Sequence, residues 1–274
     1  MSFDATRVRW ISGMPRSGTT WLSQIFASSP DVRLKFCPLF SYEFKHALDA
    51  SSSPDAWKTF FQNVYDTPSP FMDQDHLRKD GHVPEFPSEG SAPDHLIIKS
   101  NRFHHLTSDL LQKVTDVKII HLVRHPAATL HSWLTNPTEF PDGAEPLLQW
   151  RSGDCRKTDV GEYWGFDDWK TVTLQALELE RSYPDRFRIQ RYDALKQRPL
   201  SEAQSLFHFL DISMGPDTVD FIEQSQSRHD PSKRSVFKEP GPDTAWKSGL
   251  HANIIEDINS EIRHTPLQRF AEQE

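Results

Sequence analysis

The chain has 274 residues and 31.7 kDa, long enough to bury a sizeable core as one domain, 1–274, with insertions. A total of 31 Lys and Arg against 39 Asp and Glu gives a net charge of −8, which excludes a broadly basic duplex-binding face, so no nucleic-acid partner is expected. A mean hydropathy of −0.63 and no apolar run near the ~18 residues of a bilayer span argue against an integral membrane protein. The start has no apolar stretch of signal-peptide type, and Cys37 and Cys155 make no disulfide framework; a cytoplasmic setting with no membrane partner is expected.

Taken in chain order, 8–12 (VRWIS) reads as a buried strand, followed by a Gly/Pro/Ser turn and a helical run over 20–27. The turn Ser28-Ser29-Pro30-Asp31 introduces a second strand over 33–36. The stretch 51–93 is rich in Ser, Pro, Asp and His and reads as a polar insertion. Strands over 95–99 and 118–123 flank an amphipathic segment, 106–114, whose Leu106, Leu110, Leu111 and Val114 share a face. The segment 137–169 is aromatic-rich, a possible lid whose rings offer an aromatic wall or a small cluster of their own. A long helix over 168–182, a strand over 186–192 and a helix over 201–210 complete the pattern. Strands separated by helices of this length imply βαβ units, so the expected fold is α/β, three-layer αβα with a mainly parallel sheet; the glycine-bounded loop described next adds the expectation of a P-loop nucleotide-binding type.

Two blocks carry the chemistry. In Gly13-Met14-Pro15-Arg16-Ser17-Gly18-Thr19-Thr20-Trp21-Leu22 a strand enters a Gly-bounded loop that opens a helix, so backbone N–H groups converge on an anion at the positive end of the helix dipole. Ser17, Thr19 and Thr20 add hydroxyls and Arg16 a planar cation suited to phosphate or sulfate oxygens. Thr19 stands where a Walker loop has its Lys, which disfavours a P-loop kinase or NTPase. The second block, Arg124-His125-Pro126 through Ser132, follows the strand over 118–123; Pro126 suits the first turn of a helix, and both blocks lie at carboxyl ends of strands, where open parallel sheets bind ligands. His125 and His131 read as surface or packing residues.

The first block resembles the 5′-phosphosulfate loop of the sulfotransferases that use 3′-phosphoadenylyl sulfate (PAPS), with Arg16 at the basic position before Ser-Gly-Thr-Thr. The second resembles their 3′-phosphate motif, with Arg124 and Ser132 at its Arg and Ser. Arg191-Tyr192-Asp193-Ala194-Leu195 is similar to the stretch whose Tyr lies near adenine, and Gly241 with Trp246-Lys247 to the region that closes over the nucleotide. The resemblance implies PAPS as co-substrate, PAP as product, no metal, and a small-molecule or carbohydrate acceptor. It implies cofactor contacts from Arg16, Ser17, Gly18, Thr19, Thr20, Trp21, Arg124, Ser132, Tyr192, Trp246 and Lys247, and catalytic roles for Arg16 and Lys99. The two bases familiar in this family are absent: Lys99-Ser100-Asn101 stands where one branch has Lys-Thr-His, and Cys37 where another has a Glu. His104 is the first choice of base, with His105 and Glu43 as alternatives and a catalytically inactive nucleotide-binding relative left open.

Overall fold

The computed structural model describes residues 3–86, 92–238 and 241–272. Its elements run β1 (Val8–Gly13), α1 (Thr19–Ala27), β2 (Val32–Phe36), α2 (Pro54–Asp66), α3 (Asp75–Lys79), β3 (His95–Ser100), α4 (Thr107–Lys113), β4 (Lys118–Val123), α5 (Pro126–Leu134), α6 (Pro146–Gln149), α7 (Gly165–Ser182), β5 (Phe187–Arg191), α8 (Tyr192–Gln197), α9 (Pro199–Leu210), α10 (Pro216–Ser227), α11 (Trp246–Gly249) and α12 (Ala252–Ile262). The five strands pair in the order β2-β3-β1-β4-β5, all parallel. This is the expected αβα sheet, and each strand read from the sequence is present within a residue or so of its expected ends.

Alternation along the strands builds two cores. Val8 and Trp10 of β1, Leu96 and Ile98 of β3, Ile119 of β4 and Phe187 of β5 point to one face and pack against α2, α4 and α7. Ile11, Ile97, Ile120 and Leu122 point to the other and pack against α1, α9 and α10. Because helices cover both faces, β1 and β3 are buried at every position, their polar residues Arg9, Ser12, His95, Lys99 and Ser100 included.

Helix α2 was not expected within the polar stretch 51–93. Its Trp57, Phe60, Phe61, Val64 and Tyr65 recur at helical spacing and are all buried. Ser53 caps it by accepting a hydrogen bond from the Ala56 N–H, and Pro54 occupies its first turn. Part of that stretch, 87–91, lies outside the described residues. The aromatic residues of 137–169 form a third core rather than an open wall: Phe140, Trp150, Trp164, Phe166 and Trp169 are buried against α5 and α12. Among the described residues no helix is long and apolar enough to cross a membrane.

The strand order reverses direction at β1, with β3 and β2 on one side and β4 and β5 on the other. The carboxyl ends of β1 and β4 therefore open a crevice at the topological switch point, where chain connections diverge and leave room for a ligand.

One buried polar group in the sheet makes stability depend on pH. His121 on β4 is 2% exposed, and its Nδ1 lies 2.8 Å from the Ser12 hydroxyl on β1. Burial lowers its pKa from 6.5 to about 4. The unfolded chain then binds this proton more tightly, so the contribution is fully present above about pH 6.5 and is lost by up to about 3 kcal/mol as pH falls toward 4. His104 is shifted in the same direction, chiefly by burial. Urea unfolding should show the midpoint dropping between pH 6.5 and about 4, with His121→Asn making that drop shallower; an equal slope in the variant would exclude His121 as its source.

Candidate active site

The loop between β1 and α1 is shaped by its backbone. Gly18 has φ +95° and Arg16 has φ +69°, so the chain turns twice through the left-handed region. A Cβ on Gly18 would lie 2.5 Å from a ring carbon of Tyr192, so glycine also lets the first residue of α8 pack directly on the loop. Ser17 closes the turn by donating its hydroxyl to the Met14 carbonyl at 2.6 Å. The first N–H groups of α1, from Thr19 onward, have no carbonyl within the helix to donate to.

Three cations meet around this loop. Arg16 donates from Nε to the Ser132 hydroxyl at 3.1 Å and from its terminal nitrogen to the Lys233 carbonyl at 2.8 Å. Arg124 donates to the backbone carbonyl of Arg16 at 2.8 Å, and its guanidinium carbon lies 4.9 Å from the Tyr192 ring centre. Lys99 ends β3 on the α1 side of the sheet and donates to the Thr20 hydroxyl at 3.0 Å. Arg16, Thr20, Lys99, Arg124, Ser132 and Tyr192 thus come together although they are scattered over much of the chain. Burial lowers the Lys99 pKa to about 8, with Cys37 and Glu139 acting against that shift and Arg16 adding to it.

Two carboxylates that the sequence did not single out balance these charges. Asp243 takes a bidentate pair from Arg124, at 2.6 and 2.5 Å. Burial pushes the Asp243 carboxyl up, but the Arg124 hydrogen bonds and charge outweigh it and hold the group below its ordinary value. Glu139, five residues past α5, places Oε2 3.5 Å from the Arg16 Nε. Asp243 lies inside the stretch from Gly241 to Lys247 but at a position that the resemblance did not mark, and Glu139 lies in no motif, so the only signal for either was an acid in a loop.

Other expected residues lie differently. Trp21 donates its indole N–H to Ser225 at 2.9 Å and meets Tyr192 edge to face. Trp246 is buried, stacks on His125 at 4.3 Å and donates to the Asp243 carbonyl, so its ring is used for packing. Lys247 is exposed beside it. Upstream of Gly241, Lys238 donates to the Asp230 and Ser232 carbonyls. His125 caps α5 and packs, as expected.

The candidate bases are not brought to the three cations. His104 is 2% exposed, packs edge-on against His121 and Tyr163, and lines a small cavity with Val172, Ala176, Leu179 and Phe187 on the α7 side of the sheet. Its choice as base fails on that placement, because Lys99 and the phosphate loop work with α1 on the opposite face. His105 is exposed and its ring engages the Tyr163 hydroxyl at 3.1 Å. Glu43 is exposed, its carboxyl held low chiefly by the Ser69 hydroxyl. Cys37 donates to the Asn101 side chain at 3.2 Å, and burial pushes its thiol up. Among the described residues no group of three or more His, Cys, Asp or Glu is arranged to hold a metal ion.

Comparisons with known proteins bear on the family and the fold. A family model described as the sulfotransferase domain matches residues 7–263. A mouse sulfotransferase solved as a complex with PAP is 16% identical and superposes over 98% of this chain and 89% of its own, with a TM-score of 0.56. The sulfotransferase domain from the curacin biosynthetic pathway is 17% identical, over 94% of this chain and 98% of its own, with a TM-score of 0.51. At these identities the likeness to the solved structures bears on the fold. A search of curated proteins finds no match.

Replacing Gly18 with Ala should cost about 1–3 kcal/mol, from the left-handed φ and the clash with Tyr192. In a Tyr192→Ala background the clash is gone and only the backbone cost remains, so a double-mutant cycle on urea midpoints should show a smaller loss; equal losses would mean that the ring does not press on the loop.

Proposed function

Because the chain belongs to the sulfotransferase-domain family, we propose that it moves a sulfuryl group from PAPS to a hydroxyl, or less readily an amine, of a small-molecule or carbohydrate acceptor and releases PAP. The observation that carries this reading is the meeting of Arg16, Lys99, Arg124 and Ser132 at one loop-to-helix turn.

The residues fit the donor. The N–H groups opening α1, with Arg16, Ser17, Gly18, Thr19 and Thr20, suit the 5′-phosphosulfate, and Arg124 with Ser132 suits the 3′-phosphate. Trp21 and Tyr192 offer the adenine an aromatic edge. When bound, the donor supplies an activated sulfuryl group on a phosphate leaving group. Charge then builds on the departing bridging oxygen, and cations held in advance stabilise it without reorganisation. Arg16 and Lys99 perform that service here, and the proposed chemistry requires no metal.

Adenosine 3′,5′-bisphosphate should raise the melting temperature well above the shift given by AMP or Mg-ATP. Arg124→Ala should remove most of that advantage and leave AMP binding nearly unchanged. Asp243→Asn should increase it, since Arg124 is then free of its carboxylate. Equal shifts for bisphosphate and AMP in the parent protein would refute the reading.

The charge on Lys99 is present below its pKa of about 8 and lost above it. Turnover that uses this charge should fall as pH rises through about 8, and Lys99→Arg, charged throughout, should move that limb upward. A pH–rate profile with the limb unmoved in the variant would assign it to another group.

A further inference from the structure

Transfer to a hydroxyl leaves a proton to be removed, and the chain must supply an acceptor within reach of the sulfuryl group. Cys37 is a buried thiol already donating to Asn101, Asn101 has no basic atom, and the Lys99 amine is engaged with the Thr20 hydroxyl. His104 is enclosed on the other face of the sheet, and His105 and Glu43 are exposed.

Glu139 differs from all of these. Its Oε2 is buried, has no hydrogen-bond donor, and lies 3.5 Å from the Arg16 Nε at the phosphate loop. It is close enough to Lys99 to act on that amine's charge. A buried carboxylate oxygen without a donor is costly, and an incoming O–H is the partner that it lacks. The loop that carries it is braced. The Asn136 side chain accepts from the Thr138 N–H and hydroxyl, the Asn136 carbonyl accepts from the N–H groups of Glu139 and Phe140, and the Phe140 ring packs edge-on against Trp133 at 5.3 Å. Both neighbours of Glu139 are thus anchored, which holds its carboxylate toward Arg16.

We propose that Glu139 is the general base of the reaction, the group that takes the proton of the incoming hydroxyl. This deepens the sulfuryl-transfer reading and rests on it. As the acceptor oxygen bonds to sulfur, its proton passes to the Glu139 carboxylate. The bond from sulfur to the bridging oxygen of the 5′-phosphate breaks, and its electron pair leaves on that oxygen, beside Arg16. The products are the sulfate ester, PAP and a protonated Glu139 that returns its proton to water. Ser132 and Glu139 then share Arg16, the hydroxyl from the helix and the carboxylate from the loop that follows it.

The test compares Glu139→Gln with the parent protein, using labelled PAPS and two acceptors at pH 8: benzyl alcohol, which must lose its proton during transfer, and p-nitrophenol, which is largely ionised beforehand. Glu139→Gln should lower turnover with benzyl alcohol by about 10²–10⁴ and with p-nitrophenol by only a few-fold. The bisphosphate melting shift should be retained, and Glu139→Asp should recover part of the lost rate. Equal losses with the two acceptors, a loss under about tenfold with benzyl alcohol, or a variant without the bisphosphate shift would overturn the assignment. So would a parent protein that shows the shift and transfers to neither acceptor. A parent protein without the shift fails the sulfuryl-transfer reading itself, and the role of Glu139 falls with it.

Discussion

Arg16 is where the crevice is tied together. Its backbone, turned through the left-handed region, presents a carbonyl to Arg124 just after β4, while its side chain reaches Ser132 on α5, the Lys233 carbonyl and Glu139. One residue thereby fixes the relative positions of the loop between β1 and α1, the block from Arg124 to Ser132 and the loop after α5. Like charges brought this close repel, and partial burial strengthens the repulsion. The arrangement stands because each arginine has its own carboxylate, Asp243 for Arg124 and Glu139 for Arg16.

That balance explains how a chain of net charge −8 can gather three cations at one turn. Average charge bears on extended polymers, whereas a small nucleotide responds to a few groups in one crevice. The two carboxylates also bear on function in different ways. Asp243 occupies the Arg124 guanidinium, so on the proposed reading a 3′-phosphate would exchange one anionic partner for another. Glu139 meets Arg16 at a longer distance and keeps an oxygen without a donor, which leaves it available for chemistry.

The two cores position the crevice without taking part in it. Helices on both faces of a sheet whose β1 and β3 are buried throughout leave the carboxyl ends of β1, β3 and β4 as the place where Lys99, Arg124 and the loop reach outward. Pairing of β1 with both β3 and β4 sets these three ends side by side. The aromatic residues of 137–169 contribute by anchoring the loop of Glu139 against α5, through Phe140 and Trp133, instead of lining a wall.

Local signals were legible where chemistry and chain geometry coincide. The strands, the Gly-bounded loop and the Pro126 helix start follow from periodicity, glycine spacing and capping, all properties of neighbouring residues. The family, and Arg16, Lys99, Arg124 and Ser132 as its candidate site residues, were readable for the same reason. Helix α2 was legible too, through Trp57, Phe60, Phe61 and Val64, but its Ser- and Pro-rich surroundings masked the period. Tertiary structure alone decided the rest. It sent His104 to the wrong face of the sheet, turned Trp246 onto His125, and brought Asp243 and Glu139 to the two arginines. These outcomes depend on which distant segments meet, and a carboxylate on an irregular loop carries no periodicity, cap or spacing from which that meeting can be read.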